Sequence, residues 1–180
     1  MQSEKQFILA LQNPKTQDSA FKTLLHEHKE RLYWHIRNIV KTHQDADDVL
    51  QNTFIKVYKN ISKFKGESKL YSWLYRIATN ESITHLNKLA KQKNISVEDV
   101  NIQLAENLYA DSYFSGDEIQ NKLQKALALL PQKQQLVFNM KYFENMKYQA
   151  ISEVLGTSVG ALKASYYHAV KKIENYLTNS

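Results

Sequence analysis

Between positions 63 and 76, Lys63, Lys65, Lys69 and Arg76 are interleaved with Phe64, Tyr71, Trp73 and Tyr75. Cations track a phosphate backbone while aromatic rings stack on exposed bases, so this pattern suits single-stranded nucleic acid. Stacking is worth about 1–3 kcal/mol per base, enough to help hold a strand that has left its duplex. The plainer alternative is that Trp73 and Tyr75 belong to a core. A second stretch, QAISEVLGTSVGALKASYYHAVKKI at 149–173, reads as a helix-turn-helix. Ile151, Val154 and Leu155 give one apolar stripe at helical spacing. Gly156 stands where a helix needs a left-handed C-terminal residue, and Thr157 or Ser158 can cap the helix that follows. That helix keeps Val159, Leu162, Tyr166, Ala169, Val170 and Ile173 for packing. It turns Lys163, Ser165, Tyr167, His168, Lys171 and Lys172 outward. Such a unit places a recognition helix in the major groove, although the same spacing also describes an αα-hairpin inside a bundle. A third group, Asp45, Asp48, Gln51 and Asn52, lies opposite an apolar stripe on one helix. By its residues alone, a face of acids and amides reads as a solvated one.

The elements that must position these groups are helical. A short N-terminal helix is expected around 4–11, ended by Pro14. A long amphipathic helix follows over about 18–42, with Phe21, Leu24, Leu25, Leu32, Ile36, Ile39 and Val40 on one face. The acidic face sits on a helix from about 44 or 45 to 60, whose inward residues are Ala46, Val49, Leu50, Thr53 and Val57. The basic, glycine-containing loop KFKGES occupies 63–68, and a helix over about 70–90 carries Leu74, Ile77, Ala78 and Leu86 inward. Residues 91–117 have weaker periodicity and read as a linker with a short helix near 100–108. Unstructured connections that long are unusual inside one domain. Beyond it, Ile119, Leu123, Ala126, Leu127 and Leu130 form a stripe. Pro131 opens the next helix, followed by Leu136, Val137, Met140 and Tyr142. The expected fold is all-α: two small helical domains, 1–90 and 118–180, joined by a flexible acidic linker at 91–117, with the helix-turn-helix in the second.

Charge follows the same division. Residues 1–93 hold 16 Lys and Arg against 9 Asp and Glu, and residues 119–180 hold 8 against 3. Between them, 94–118 carry six acids and no base. Two basic blocks suggest two nucleic-acid-facing domains. Zero cysteines exclude disulfides, thiolate zinc sites and cysteine catalysis, and fit a cytoplasmic protein. The opening residues MQSEKQFILALQNPK lack a sustained apolar run, so no signal segment is expected. No stretch has the roughly 18 apolar residues of a membrane span, so no membrane insertion is expected. The six histidines, at 26, 28, 35, 43, 85 and 168, form no tight ligand spacing. No nucleophile elbow or phosphate-binding glycine loop occurs, so neither a metal, a cofactor nor an enzyme is expected.

The blocks DADDVLQNTFIKVYKNISKFKGESKLYSWLYRIATNESITHLNK (45–88) and LPQKQQLVFNMKYFENMKYQAISEVLGTSVGALKASYYHAVKKI (130–173) resemble the two domains of bacterial RNA polymerase sigma factors of the extracytoplasmic-function (ECF) group. They do so in order, spacing and detail. The resemblance implies a protein that binds core RNA polymerase and directs promoter-specific initiation, with nucleotidyl transfer left to the core. It implies Asp45, Asp48, Gln51 and Phe54 in core-polymerase binding. It places Phe64, Lys65, Gly66, Trp73, Arg76 and Asn80 at the melted non-template strand of the minus-ten element, with Asn80 able to read a base edge. It places Ser158, Gly160, Ala161, Lys163, Ser165, His168, Lys171 and Lys172 at duplex minus-thirty-five DNA, the lysines on phosphates. The acidic linker would thread the polymerase along a path built for a polyanion. Members of this group are often held inactive by an anti-sigma factor, so that is a candidate partner.

The chain departs from the family pattern in the helix-turn-helix. Ala161 stands where Thr is common, Ser165 and His168 where Arg is common, and Ser152 where Ala is usual. Fewer arginines mean less direct readout of guanine and a larger share for backbone contacts and DNA shape. The alternative is a stand-alone helix-turn-helix regulator, which leaves the 45–58 face and the aromatic-basic stretch unexplained. A protein-interaction adaptor of the same fold predicts no promoter-dependent effect and little salt dependence.

Overall fold

The computed structural model describes residues 3–110 and 117–180, the side chains of 109 and 110 excepted. Asp111, part of the acidic strip, lies outside them. The described residues are helical, in the order α1 (Glu4–Gln12), α2 (Gln17–Val40), α3 (His43–Asn60), α4 (Leu70–Lys93), α5 (Val97–Glu106), α6 (Glu118–Ala128), α7 (Gln132–Phe138), α8 (Tyr148–Leu155) and α9 (Val159–Asn179). The ends follow local chemistry. Ser3 accepts from the Gln6 N–H in a capping box on α1, and Ser96 with Asp99 makes another on α5. Thr42 accepts from the Asp45 N–H at the start of α3, and Asp117 from the Ile119 N–H at the start of α6. Left-handed residues close three helices: Lys41 (φ 69°) after α2, Asn94 (φ 53°) after α4 and Gly156 (φ 62°) after α8.

α2, α3 and α4 pack into a three-helix unit around Leu24, Leu32, Ile36, Val49, Val57, Leu74, Ala78 and Leu86, all buried. Full burial of each such aliphatic chain is worth about 1.5–3 kcal/mol relative to exposure. The expected inward faces of these helices match, with Phe21, Leu25 and Ile77 only half-buried. In the second half, Leu127, Leu130, Phe138, Ala169 and Ile173 make a smaller core.

The halves do not stand apart in this structure. Leu136, Val137, Met140, Ile151, Val154 and Leu162 from the second half join the core of the first. α5 bridges them, packed against α4 and α6 with Val100 and Ala105 buried, so much of the expected linker is a docked helix. Polar contacts cross the same seam. His35 of α2 reaches Thr79 Oγ1 of α4 (2.8 Å) and Glu144 Oε1 of the second half (2.7 Å). Lys41 Nζ donates to Gln124 Oε1 of α6 (2.9 Å). A π-turn over Asn139–Phe143 prolongs α7. The extra residue shifts the helical register. Tyr142, expected inward, therefore turns out to 59% exposure and stacks on Phe138. Ile119, in the first turn of α6, is likewise exposed, and its stripe begins only at Leu123.

Candidate nucleic-acid interface

The helix-turn-helix consists of α8, Gly156 and α9. The Gly156 N–H donates to the Ser152 carbonyl (2.9 Å), closing α8. Ser158 then begins α9 with its hydroxyl accepting from the Ala161 N–H (3.3 Å). Because that bond uses a lone pair, the Ser158 hydroxyl proton stays free to donate. Leu162, Ala169 and Ile173 face the core. Gly160, Ala161, Lys163, His168, Lys171 and Lys172 are exposed on the opposite side, and Ser165 is half-buried between the two faces. Lys163 lies 5.9 Å from the Tyr148 ring centre, and Lys171 lies 6.0 Å from that of Tyr167. Lys171 also pairs with Glu174 one turn on (3.1 Å), and that hydrogen bond raises its pKa above the usual lysine value. Lys172 makes no such ion pair among the described residues, so only Lys171 has a neighbouring carboxylate to leave.

The loop at 63–68 and the start of α4 enclose a small cavity of about 240 Å³ lined by Lys63, Phe64, Lys65, Glu67, Ser68, Trp73 and Arg76. The loop turns at Gly66, whose φ of 73° favours glycine over any residue with a Cβ. Lys65, Arg76 and Asn80 are exposed and Trp73 is half-buried. Two of the aromatic residues do not stand free. Phe64 is 8% exposed and backs onto Trp73, with ring centres 5.0 Å apart, so it supports the Trp73 ring from beneath. Tyr75 is 3% exposed between Tyr71 and His35 and belongs to the core. Burial pushes its phenol well above the ordinary range. The alternation of basic and aromatic residues thus resolves, on a helix, into two faces, and only Trp73 and the half-buried Tyr71 remain near solvent. Arg76 meanwhile donates from Nε (3.1 Å) and Nη2 to the Glu153 carbonyl of α8, which ties this face to the helix-turn-helix half.

The acidic face of α3 divides in the same way. Asp48 and Gln51 are exposed on the rim of a groove of about 1150 Å³ between α2 and α3. Phe54, 8% exposed, lines that groove and meets Phe21 edge-on. Asp45 lies elsewhere. Its carboxylate accepts from Thr42 Oγ1 (2.6 Å) and sits 3.0 Å from His85 Nε2, at the capped start of α3. Sequence reasoning missed the apolar part of the groove, where Ile55 (45% exposed) and Tyr58 (38% exposed) face solvent. A signal was present: Asp48, Gln51, Ile55 and Tyr58 recur at four- and three-residue spacing, a second stripe beside the core stripe.

Comparison with known proteins gives this arrangement a family. Sigma-70 region 2 matches residues 24–92, and Sigma-70, region 4 matches residues 120–173. The chain is 29% identical to RNA polymerase sigma-H factor of Pseudomonas aeruginosa, covering 88% of this chain and 86% of that one. It is 26% identical to ECF RNA polymerase sigma factor SigW of Bacillus subtilis, covering 91% of each. Among solved structures, CnrH in complex with the cytosolic domain of CnrY superposes with a TM-score of 0.70 at 22% identity, over 97% of both chains. The sigma factor RpoE, solved with the anti-sigma factor NepR from Bartonella quintana, superposes at 0.65 and 20% identity, over 88% of this chain and 96% of that one. The chain belongs to the sigma-70 family of RNA polymerase sigma factors, in its ECF group. Among the described residues, no helix is long and apolar enough to cross a membrane.

Proposed function

We propose that this sigma factor, which directs promoter-specific transcription initiation, works through three separate surfaces. The α2/α3 groove takes a helical element of core RNA polymerase, with Phe54, Ile55 and Tyr58 as apolar seat and Asp48 and Gln51 as a polar rim. Acids at a rim steer and orient a basic partner more than they add affinity. Asp45 serves this surface indirectly, by holding the start of α3. The cavity between the 63–68 loop and α4 takes an unpaired base of the non-template strand at the minus-ten element. Trp73, braced by Phe64, offers the ring, and Lys65, Arg76 and Asn80 offer backbone and edge contacts. The exposed face of α9, from Ser158 through Gly160, Ala161, Lys163, Ser165 and His168 to Lys171 and Lys172, enters duplex DNA at the minus-thirty-five element.

The observation that carries this reading is the pairing, on one chain, of a basic ring-backed cavity with an exposed basic recognition helix. A stand-alone helix-turn-helix regulator would use only the second. The chain performs no catalytic step in this scheme. Arg76 is engaged with the Glu153 carbonyl, so its use on DNA requires that contact between the halves to break. An anti-sigma factor is the regulator this reading expects, since both structural neighbours were solved with a bound partner, named as an anti-sigma factor for RpoE. The test is run-off transcription with purified bacterial core polymerase and a pool of candidate promoters, with and without the protein. Promoter-specific transcripts that require the protein support the proposal. Absence of both transcripts and core binding in the same samples would overturn it in favour of the stand-alone regulator.

A further inference from the structure

We propose that α1 is a brace that sets the shape of the minus-ten loop, with Gln12 and Glu4 as positioning residues; this rests on the assignment of that loop to the melted strand. Three side-chain hydrogen bonds run from α1 to the two ends of the loop. Gln12 Nε2 donates to the Ile61 carbonyl (3.0 Å) and to the Phe64 carbonyl (2.8 Å), so both amide protons of one side chain clamp the 3-10 turn at Ile61–Lys63. Glu4 Oε1 accepts from the Leu70 N–H (2.7 Å), the first amide of α4. That amide is one of the donors a helix start leaves unsatisfied. The local residue cannot satisfy it, because Lys69 stands at the N-cap without a cap bond and its ammonium has no acceptor. A carboxylate from 66 residues upstream therefore does the capping, and its negative charge suits the positive end of α4.

α1 is built to hold still while it does this. Its own capping box fixes the first turn, Leu11 is wholly buried, and Phe7, Ile8 and Ala10 pack partly against the core. Thr16 Oγ1 donates to the Ala10 carbonyl (2.8 Å) and secures the turn into α2. The loop itself offers little of its own: Lys65, Gly66 and Glu67 are exposed, and Gly66 carries the left-handed turn. Its conformation, and hence the outline of the cavity floored by Phe64, is set at its ends. The match to Sigma-70 region 2 begins only at residue 24, so these positioning groups lie outside the matched segment.

The test uses holoenzyme reconstituted from core polymerase and the full chain. It is presented with single-stranded DNA carrying a randomised segment, and the base preference of the bound fraction is read by sequencing. Duplex minus-thirty-five binding and the melting temperature are measured alongside. The Q12E substitution is nearly isosteric but puts a carboxylate oxygen, an acceptor only, against two carbonyl oxygens. Q12E is therefore expected to weaken capture roughly 10- to 30-fold and flatten the base preference, more than Q12A does. E4A is expected to lose roughly 5- to 10-fold, while E4Q, which keeps an acceptor oxygen, stays near wild type. Duplex binding should not move in any of them. Equal behaviour of Q12E and wild type overturns the proposal. So does a parallel loss of strand capture, duplex binding and melting temperature, which would make α1 a structural prop only. The variants K65A and W73A separate the underlying assignment: if they leave capture unchanged, the loop is not the minus-ten site and the brace falls with it.

Discussion

Lys41 gives the sharpest test of the seam between the two halves. It closes α2 in a left-handed conformation, is 5% exposed, and donates to the buried Gln124 on α6. Burial, helped by the nearby Arg37 charge, lowers its pKa from 10.5 to about 7. Between those values the unfolded chain holds a proton on this side chain that the folded chain does not, so stability must rise with pH across the window. Below about pH 7 the full penalty is present, and above 10.5 it is gone. In mid-window the slope approaches about 1.4 kcal/mol per pH unit, so from about pH 7.5 to about pH 9.5 the wild type should gain about 2 kcal/mol from this group. K41M removes the titration. It also orphans the Gln124 carbonyl oxygen, a cost of about 1–3 kcal/mol. That cost does not change with pH, nor does the left-handed backbone strain common to both side chains. The measurement is therefore the pH dependence of the difference, from urea unfolding of both proteins at several pH values. The wild type should gain on K41M by about 2 kcal/mol over that range, roughly 4–8 °C in Tm for a chain of this size. Parallel curves would refute the reasoning and mean that the ammonium is solvated, with the halves apart at that point.

The groove and the recognition helix yield two further expectations. D48R should abolish core binding in a pull-down while leaving the melting temperature unchanged, because Asp48 is exposed on the groove rim. D45R should instead lower stability by about 1 kcal/mol through loss of the Thr42 cap network, and a D48R protein that still binds core would sink the groove assignment. K172A should reduce the salt slope of duplex binding by about 1, uniformly across sequences, as for a phosphate contact. K171A should reduce it less, since Lys171 has to leave Glu174 to reach DNA; equal slopes for the two variants would contradict that ranking.

Much of this protein is legible without coordinates. Helical spacing places the expected helices of the first half close to α1–α4, because a helix that must bury one face writes its period into the sequence. The Gly156 turn is equally plain, as glycine takes a left-handed helix end without the penalty of a Cβ. The ordered pair of blocks points to the sigma family, which the matches at 24–92 and 120–173 bear out. Three things are not legible. A π-turn changes register without any residue that announces it, so spacing alone puts Tyr142 on the wrong face. Phe64 and Tyr75 look like stacking rings because an aromatic side chain is equally suited to a core and to a base. Asp45 looks like Asp48, although one caps a helix and the other lines a groove.

Sequence alone thus determined the helices of the first half and their inward faces, the turn of the helix-turn-helix, and the family. These rest on local propensity and periodicity, which act over a few residues. Tertiary structure alone decided which of two similar acids or rings is free, that Glu4 and Gln12 reach across to the 63–68 loop, and that Lys41 and His35 end up buried between the halves. Those outcomes depend on contacts between positions tens of residues apart. Nothing in the local spacing encodes them, because their energy exists only once the chain has packed.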